Sequence, residues 1–253
     1  MKIAVIGARG LVGRACVMEL QSRGIDVIEL STSSSVPDNT EGVIVASAMK
    51  ESMLSIPLVD CTGELSNTSL VLPNILCSHS TRVRIPNCMA SLIAQAIAPL
   101  HRQCSVTSII ATCMQSASGA GWRGVKALEE DTTEKIFGGT LTNNILPHEN
   151  AKREEEAINS DLNEIFGCTV TTTSFRVPVS TGHVASLRIE TKSVIDKNLL
   201  PVSDCIDPRS LENKRSVSIG RVRVDKNTAD IVICGNQLIC GTAIPAVTSI
   251  LST

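Results

Sequence analysis

The sequence predicts an α/β protein in two parts: a domain built on βαβ units around a parallel sheet, then an α+β domain with a mixed sheet. Three observations point there. The chain opens with strand, glycine-rich turn, helix and strand in direct succession. Its later part holds long segments rich in Val, Thr and Ile, separated by short turns, which reads as hairpin-type pairing. At 253 residues with 43% apolar content, it is long enough for one large or two modest cores.

The first strand is KIAVI at residues 2–6, apolar enough for the middle of a parallel sheet. Gly7-Ala8-Arg9-Gly10-Leu11-Val12-Gly13 follows, and then a helix through Gln21 with apolar positions 12, 16, 17 and 20. Asp26–Leu30 completes the unit. Glycines at 7, 10 and 13 allow a tight turn and close approach of a pyrophosphate to the helix N-terminus, the arrangement of a Rossmann-like dinucleotide site. A tight turn without ligand is the plain alternative. The second strand ends VIEL and runs into Ser31-Thr32-Ser33-Ser34-Ser35. Hydroxyls can donate to a 2′-phosphate without repelling it, so the cofactor expected is NADP, although no Lys or Arg stands in this loop.

Between 36 and 57 the pattern is poor: Val43–Ala48 reads as a strand and Met49–Leu54 as a short helix or turn. Residues 58–74 read as strand, polar turn and strand. A short strand at Val83–Ile85 is stopped by Pro86. Apolar residues at 89, 92, 93, 96, 97 and 100 then mark a helix. Cys88 falls at that strand-to-helix turn, where free N–H groups and the helix dipole favour a thiolate. It is the candidate nucleophile among ten cysteines, most of which read as small buried hydrophobes.

A buried strand at 105–113 leads into Gln115-Ser116-Ala117-Ser118-Gly119-Ala120-Gly121 and a helix from Trp122 to about Glu129. Residues 131–150 read as loop, and 152–165 as an amphipathic helix whose run Glu154-Glu155-Glu156 reads as a solvated face. Cys168–Val179 and His183–Val194 read as a β-hairpin across Ser180-Thr181-Gly182. Two more strands (217–224, 229–234) and a last helix, Gly241–Leu251, close the chain.

Composition removes several classes. A net charge of −2 argues against nucleic acid or an acidic membrane as main partner. No apolar run approaches a membrane span, and the N-terminus reads as strand and turn rather than signal peptide. Ten scattered cysteines without CxxC read as reduced thiols in a cytoplasmic setting, with no metal site. One Trp, three Phe and no Tyr offer no base-stacking platform.

Taken together, GARGLVGR (7–14), PNC (86–88), QSASGAG (115–121), NILPHE (144–149), RVPVSTGH (176–183), GRVRVD (220–225) and GNQLICGTA (235–243) resemble the aspartate-semialdehyde dehydrogenase family. The resemblance implies an NADP-binding domain over 1–87 with 239–253 returning, and a catalytic and dimerisation domain over 88–238. It implies reductive dephosphorylation of aspartyl-β-phosphate to aspartate-β-semialdehyde and phosphate, in lysine, threonine and methionine biosynthesis. Cys88 takes the thioester-forming role, with His183 as acid–base residue and Gln115 orienting nucleophile and substrate. Asn87 places the reacting group, Arg176 clamps the α-carboxylate, and Glu154, in its run of three, holds the amine. The dinucleotide falls to Gly7, Arg9, Gly10, Leu11, Val12, Gly13, Ser31, Ser118, Gly119, Gly121 and Gln237. A homodimer or dimer of dimers is implied by the same resemblance. Departures are visible too: Ala157 where the family has a phosphate-binding lysine, Ser66 where an arginine is common, Asn236-Gln237 for Asp-Asn, and a short stretch between Ser35 and Val59. A non-catalytic relative, or a reductase of another acyl phosphate, are the competing readings.

Overall fold

A computed structural model describes residues 1–49, 55–203, 206–211 and 214–252. In chain order the elements are β1 (Lys2–Ile6), α1 (Leu11–Ser22), β2 (Asp26–Leu30), β3 (Gly42–Val45), β4 (Leu58–Asp60), β5 (Ser69–Leu70), β6 (Arg82–Arg84) and α2 (Cys88–Cys104). Next come β7 (Val106–Gln115), α3 (Gly121–Glu129), α4 (Glu134–Phe137), β8 (Leu146–Pro147), α5 (Ala151–Phe166), β9 (Thr169–Arg176), β10 (His183–Thr191), β11 (Ser218–Asp225), β12 (Thr228–Gly235) and α6 (Ile244–Ile250). The chain divides into two units, Met1–Cys88 with Leu238–Thr253, and Met89–Gln237.

The first unit is a parallel sheet in the order β2-β1-β3-β4-β6-β5. Both faces are apolar because successive residues of each short strand point opposite ways. Ile3, Val5, Ile44 and Val59 face Cys16, Val17 and Leu20 of α1 and Ala246, Val247 and Ile250 of α6. Ala4, Ile6, Val43, Val45 and Leu58 make the other face. The chain goes from β1 to β2 on one side and then to β3 on the other, so the loop after β1 lies where strand order reverses, the usual ligand crevice of such sheets. The turn or helix expected over Met49–Leu54 lies, from residue 50, outside the described residues.

The second unit is a mixed sheet in the order β11-β12-β10-β7-β9-β8. β7 and β9 are parallel, and the other pairs antiparallel. This corrects the hairpin expected between β9 and β10, since β7 runs between them. The connection 177–182 crosses the end of β7 and bonds to the loop beyond that strand: Ala117 N–H donates to Val179 O (2.8 Å) and Ser118 N–H to Ser180 O (3.0 Å). Passing over one strand covers about 10 Å, more than a two-residue turn spans, and Pro178 has no N–H for a ladder. The stretch 131–150 is less loop-like than expected, holding α4 and β8. The last helix is split into a π-helical turn, Ile239–Ala243, and α6.

Candidate functional site

In the first unit the glycine loop is shaped by steric necessity. Gly7 has φ +80°, and a Cβ there would sit 2.6 Å from Ser47 Cβ. A Cβ on Gly13 would fall 2.1 Å from the Gly7 carbonyl oxygen. Gly10 N–H closes the turn onto that oxygen at 2.9 Å. Gly10 then leads into α1 without a side-chain cap, and no acidic residue stands in the first turn. The first N–H groups of α1 are therefore not taken by a capping side chain, and the close-packed glycines form a cradle that any side chain would fill, which fits a pyrophosphate. Arg9 is exposed and Leu11 and Val12 half-buried. Ser31, just past β2, has its Oγ 3.0 Å from Ser33 Oγ and 2.8 Å from Ser34 Oγ.

Asn87 and Cys88 are half-buried, with Cys88 the first residue of α2 and no acidic residue in that first turn. Two other thiols are pushed away from reactivity. A hydrogen bond with Cys16, together with burial, raises the Cys61 thiol well above its ordinary value. Burial raises Cys168 to about 11.

In the second unit, strand register gathers the remaining residues at one end of the sheet. Gln115 ends β7 opposite Arg176, which ends β9. His183 begins β10 opposite Gly235, the last residue of β12. Gln115 Nε2 donates to Glu154 Oε1 at 2.8 Å. Of the three glutamates, Glu155 instead accepts from the Ser174 N–H (2.8 Å) and Glu156 is exposed. Only the last behaves as the solvated face expected.

Arg176 is 1% exposed, and its guanidinium is committed. Glu149 takes Nε and NH2 at 3.2 and 2.6 Å, Ser116 O takes NH1 at 2.8 Å, and His148 Nε2 stands 2.6 Å from NH2. A guanidinium can only donate, so His148 Nε2 accepts. The open fork expected for a substrate carboxylate is thus filled by Glu149, a group absent from the sequence-based set although it lies inside NILPHE. Nothing in the spacing distinguished it, because Arg176 and Glu149 meet only through the pairing of β8 with β9.

His183 is fully buried at the start of β10. Burial first, then the charge of Arg176, lowers it to about 3, so the ring is neutral at physiological pH. Its Nδ1 faces Ser116 N–H (3.2 Å) and Ser116 Oγ (3.1 Å). Gln237 lies in the same network, its Nε2 donating to Ser118 Oγ (2.6 Å) and Ser116 Oγ (3.3 Å). Gly119 is pressed close, since a Cβ there would be 2.6 Å from Arg176 NH1 and 3.6 Å from His183 Nε2. Gly121 has φ +74° with open space around it.

The family model for the semialdehyde dehydrogenase dimerisation domain matches residues 97–240, more than half of the chain. The chain belongs to the semialdehyde dehydrogenase family. It is 28% identical over 211 residues to the aspartate-semialdehyde dehydrogenase of Rickettsia bellii, covering 70% of this chain. It is 30% identical over 198 residues to that of Rickettsia conorii, covering 64% of this chain. These matches span about 60% of the length of each relative, at 60% and 59%. A match to the Prochlorococcus marinus enzyme is weaker, at 22% identity, but spans 98% of this chain and 94% of the relative. The fold is shared with aspartate semialdehyde dehydrogenase II from Vibrio cholerae complexed with ASA, at a TM-score of 0.83 and 19% identity, over 99% of this chain and 98% of that one. This family member has no helix, among the described residues, long and apolar enough to cross a membrane, and no cluster of His, Cys, Asp and Glu fit to hold a metal.

Proposed function

We propose that this chain is an NADP-dependent, phosphorylating aspartate-semialdehyde dehydrogenase. The observation that supports it best is the convergence of Gln115, Arg176 and His183 at one end of three adjacent strands, β9, β7 and β10. In this reading the Cys88 thiolate attacks the acyl carbon of aspartyl-β-phosphate, the C–O bond to phosphate breaks, and a thioester forms. Bound NADPH supplies the hydride that reduces the thioester to the aldehyde. Asn87 and Gln115 orient the acyl group, and Glu154, held by Gln115, attracts the substrate amine. Gly7, Gly10 and Gly13 would hold the pyrophosphate through the start of α1, with Arg9, Leu11 and Val12 as its further contacts. Ser118, Gly119, Gly121 and Gln237 would hold the nicotinamide end when the cofactor is bound. Family membership supports a nicotinamide cofactor; the preference for NADP rests on the Ser31 hydroxyl cluster. Nine described free thiols support a reducing, cytoplasmic setting.

A homodimer is proposed through the open face of the second sheet, where Ile110, Thr112, Thr171, Thr173 and Ser186 are exposed by strict alternation. The filled fork of Arg176 favours a second reading, an acyl phosphate whose recognition does not depend on an α-carboxylate at that arginine.

The test is NADP reduction by aspartate semialdehyde with phosphate or arsenate, in wild type and Cys88→Ala. Turnover in the former alone is expected. Folded wild type without turnover would sink the proposal, and a preference for NAD would remove the role given to Ser31.

A further inference from the structure

The connection 177–182 uses only part of its hydrogen-bonding capacity within the protein. Val177 N–H donates to Gln115 O (3.0 Å), Val179 N–H to Val177 O (2.8 Å) and Gly182 N–H to Gln237 Oε1 (3.1 Å); Pro178 has no N–H to place. The carbonyls of Val179 and Ser180 are committed to Ala117 and Ser118. Among the described residues, the N–H groups and hydroxyls of Ser180 and Thr181 have no acceptor. These residues line a cavity of about 240 Å³ together with Pro178, Val179, Pro208 and Arg209. Its far wall is the 3-10 turn Pro208–Leu211. Gly182, at φ +99°, lets that turn close on the connection, since a Cβ there would stand 3.0 Å from Pro208 Cβ. Ser180 and Arg209 are exposed and Thr181 half-buried, so a solute reaches all three. The Arg209 guanidinium has no acceptor among the described residues. Asp207 is occupied with the turn itself, its Oδ1 accepting the Arg209 backbone N–H at 3.0 Å.

We propose that Ser180, Thr181 and Arg209 form a binding site for a phosphate group. The inference goes beyond the reaction proposed above and does not depend on it. A guanidinium only donates, and its planar fork takes two oxygens of one anion side by side. A carboxylate has no oxygen left after that. A phosphate has further oxygens, which the N–H and hydroxyl groups of Ser180 and Thr181 can fill. No acidic residue lines the cavity, so nothing in the wall repels the charge. The volume is several times the roughly 30 Å³ that a water occupies, yet below the roughly 300 Å³ at which pockets for drug-sized ligands begin. It suits a phosphate, free or on a small carrier. A bound phosphate fastens the connection from its solvent side. The same connection holds the Ala117 and Ser118 N–H groups through its carbonyls and leads directly into His183.

Amide 1H–15N spectra of the labelled full chain, recorded during titration with sodium phosphate at constant ionic strength, read the site directly. The Ser180 and Thr181 amides should move saturably and together, with a midpoint on the order of 1 mM for a site whose cation is exposed and screened. In Arg209→Gln the midpoint should rise at least about tenfold. Thr181→Val, which removes a hydroxyl and keeps the shape, should raise it by a smaller factor. Glycerol phosphate titrated in parallel separates a carried phosphate from the free ion: a lower midpoint for the ester supports the first, and a lower one for the inorganic ion supports the second. Amides that stay still up to about 50 mM phosphate, or an unchanged midpoint in Arg209→Gln, would overturn the site. Acetate moving both amides at the same concentrations would overturn its assignment to phosphate. The spectra need no turnover, so a wild type without dehydrogenase activity would count against the proposed reaction and leave this result standing.

Discussion

Replacing Glu149 by alanine isolates the buried ion pair at the end of β9. In the wild type, Glu149 supplies two of the contacts of a guanidinium that is 1% exposed. The variant leaves Ser116 O and His148 Nε2 as remaining partners, while the positive charge stays buried beside the Phe137 ring, 5.2 Å from its centroid. Breaking a buried pair from one side costs about 3–5 kcal/mol. Glu149 is itself 16% exposed in its side chain, so water can reach the gap and the lower end, about 3 kcal/mol, is expected. For a unit of this size that is a fall in Tm of about 6–12 °C, read by calorimetry. A small carboxylate such as acetate, added at high concentration, should recover part of the loss by seating on the freed fork. Under the proposed function the variant should also lower KM for aspartate semialdehyde, since its α-carboxylate can now reach Arg176. A Tm within 2 °C of wild type, with no response to acetate, would refute the reasoning. The pair also titrates. Burial acts to raise the Glu149 carboxyl, but the hydrogen bonds and charge of Arg176 outweigh it and hold the group below its ordinary 4.5. Its stabilisation is present above that value and is lost as pH falls through the lower native one.

Three further outcomes are expected from other parts of the molecule. His183, depressed to about 3 by burial, binds a proton more readily unfolded, so stability should fall as pH drops below about 6.5, by at most about 1.4 kcal/mol per pH unit for this group; urea titrations from pH 7 to 5 in wild type and His183→Gln measure it, and equal slopes would contradict the burial. Gly13→Ala forces a Cβ to 2.1 Å from the Gly7 carbonyl oxygen, so the loop must move and NADP affinity by fluorescence titration should drop at least tenfold, whereas unchanged affinity would show that the cradle is not the binding place. Ile110, 52% exposed on the open sheet face and opposite Arg188 in register, should on change to Lys add like charge and turn a dimer into a 26.8 kDa monomer by light scattering; a dimer that persists would place the interface elsewhere.

Much of the first unit was legible because its information is local. The βαβ opening needs only apolar strands and glycines that a turn requires, and both sheet faces are covered, so the strands read as continuous apolar runs. The catalytic-type residues were legible as motifs, but their chemistry was not. His183 was legible as a motif residue, but its full burial and the Ser116 N–H that points at its Nδ1 were not, across a separation of 67 residues. Arg176 looked like an open clamp because Glu149 reaches it only once β8 pairs with β9. The supposed hairpin failed for the same reason: the order of strands in a mixed sheet is decided by β7, more than fifty residues before β9, and local turn signals are blind to it. In the glutamate run, helix phase and strand contacts together separate Glu154 from Glu155 and Glu156, which composition alone does not.

The return of the C-terminus to the first unit bears on how the molecule is born. Ala243, Ala246, Val247 and Ile250 complete the same apolar cluster as Ile3, Val5 and Ile44. During synthesis those early strands leave the ribosome roughly two hundred residues before the segment that covers them, on the order of ten seconds or more at ordinary elongation rates. One face of the nascent sheet is therefore exposed while the whole intervening unit is made. The second unit, contiguous in sequence, has every part of its own core by residue 237. Folding in the cell is then expected to reverse the order of the two units: the unit contiguous in sequence closes first, and the unit begun by β1 is sealed only once α6 has emerged.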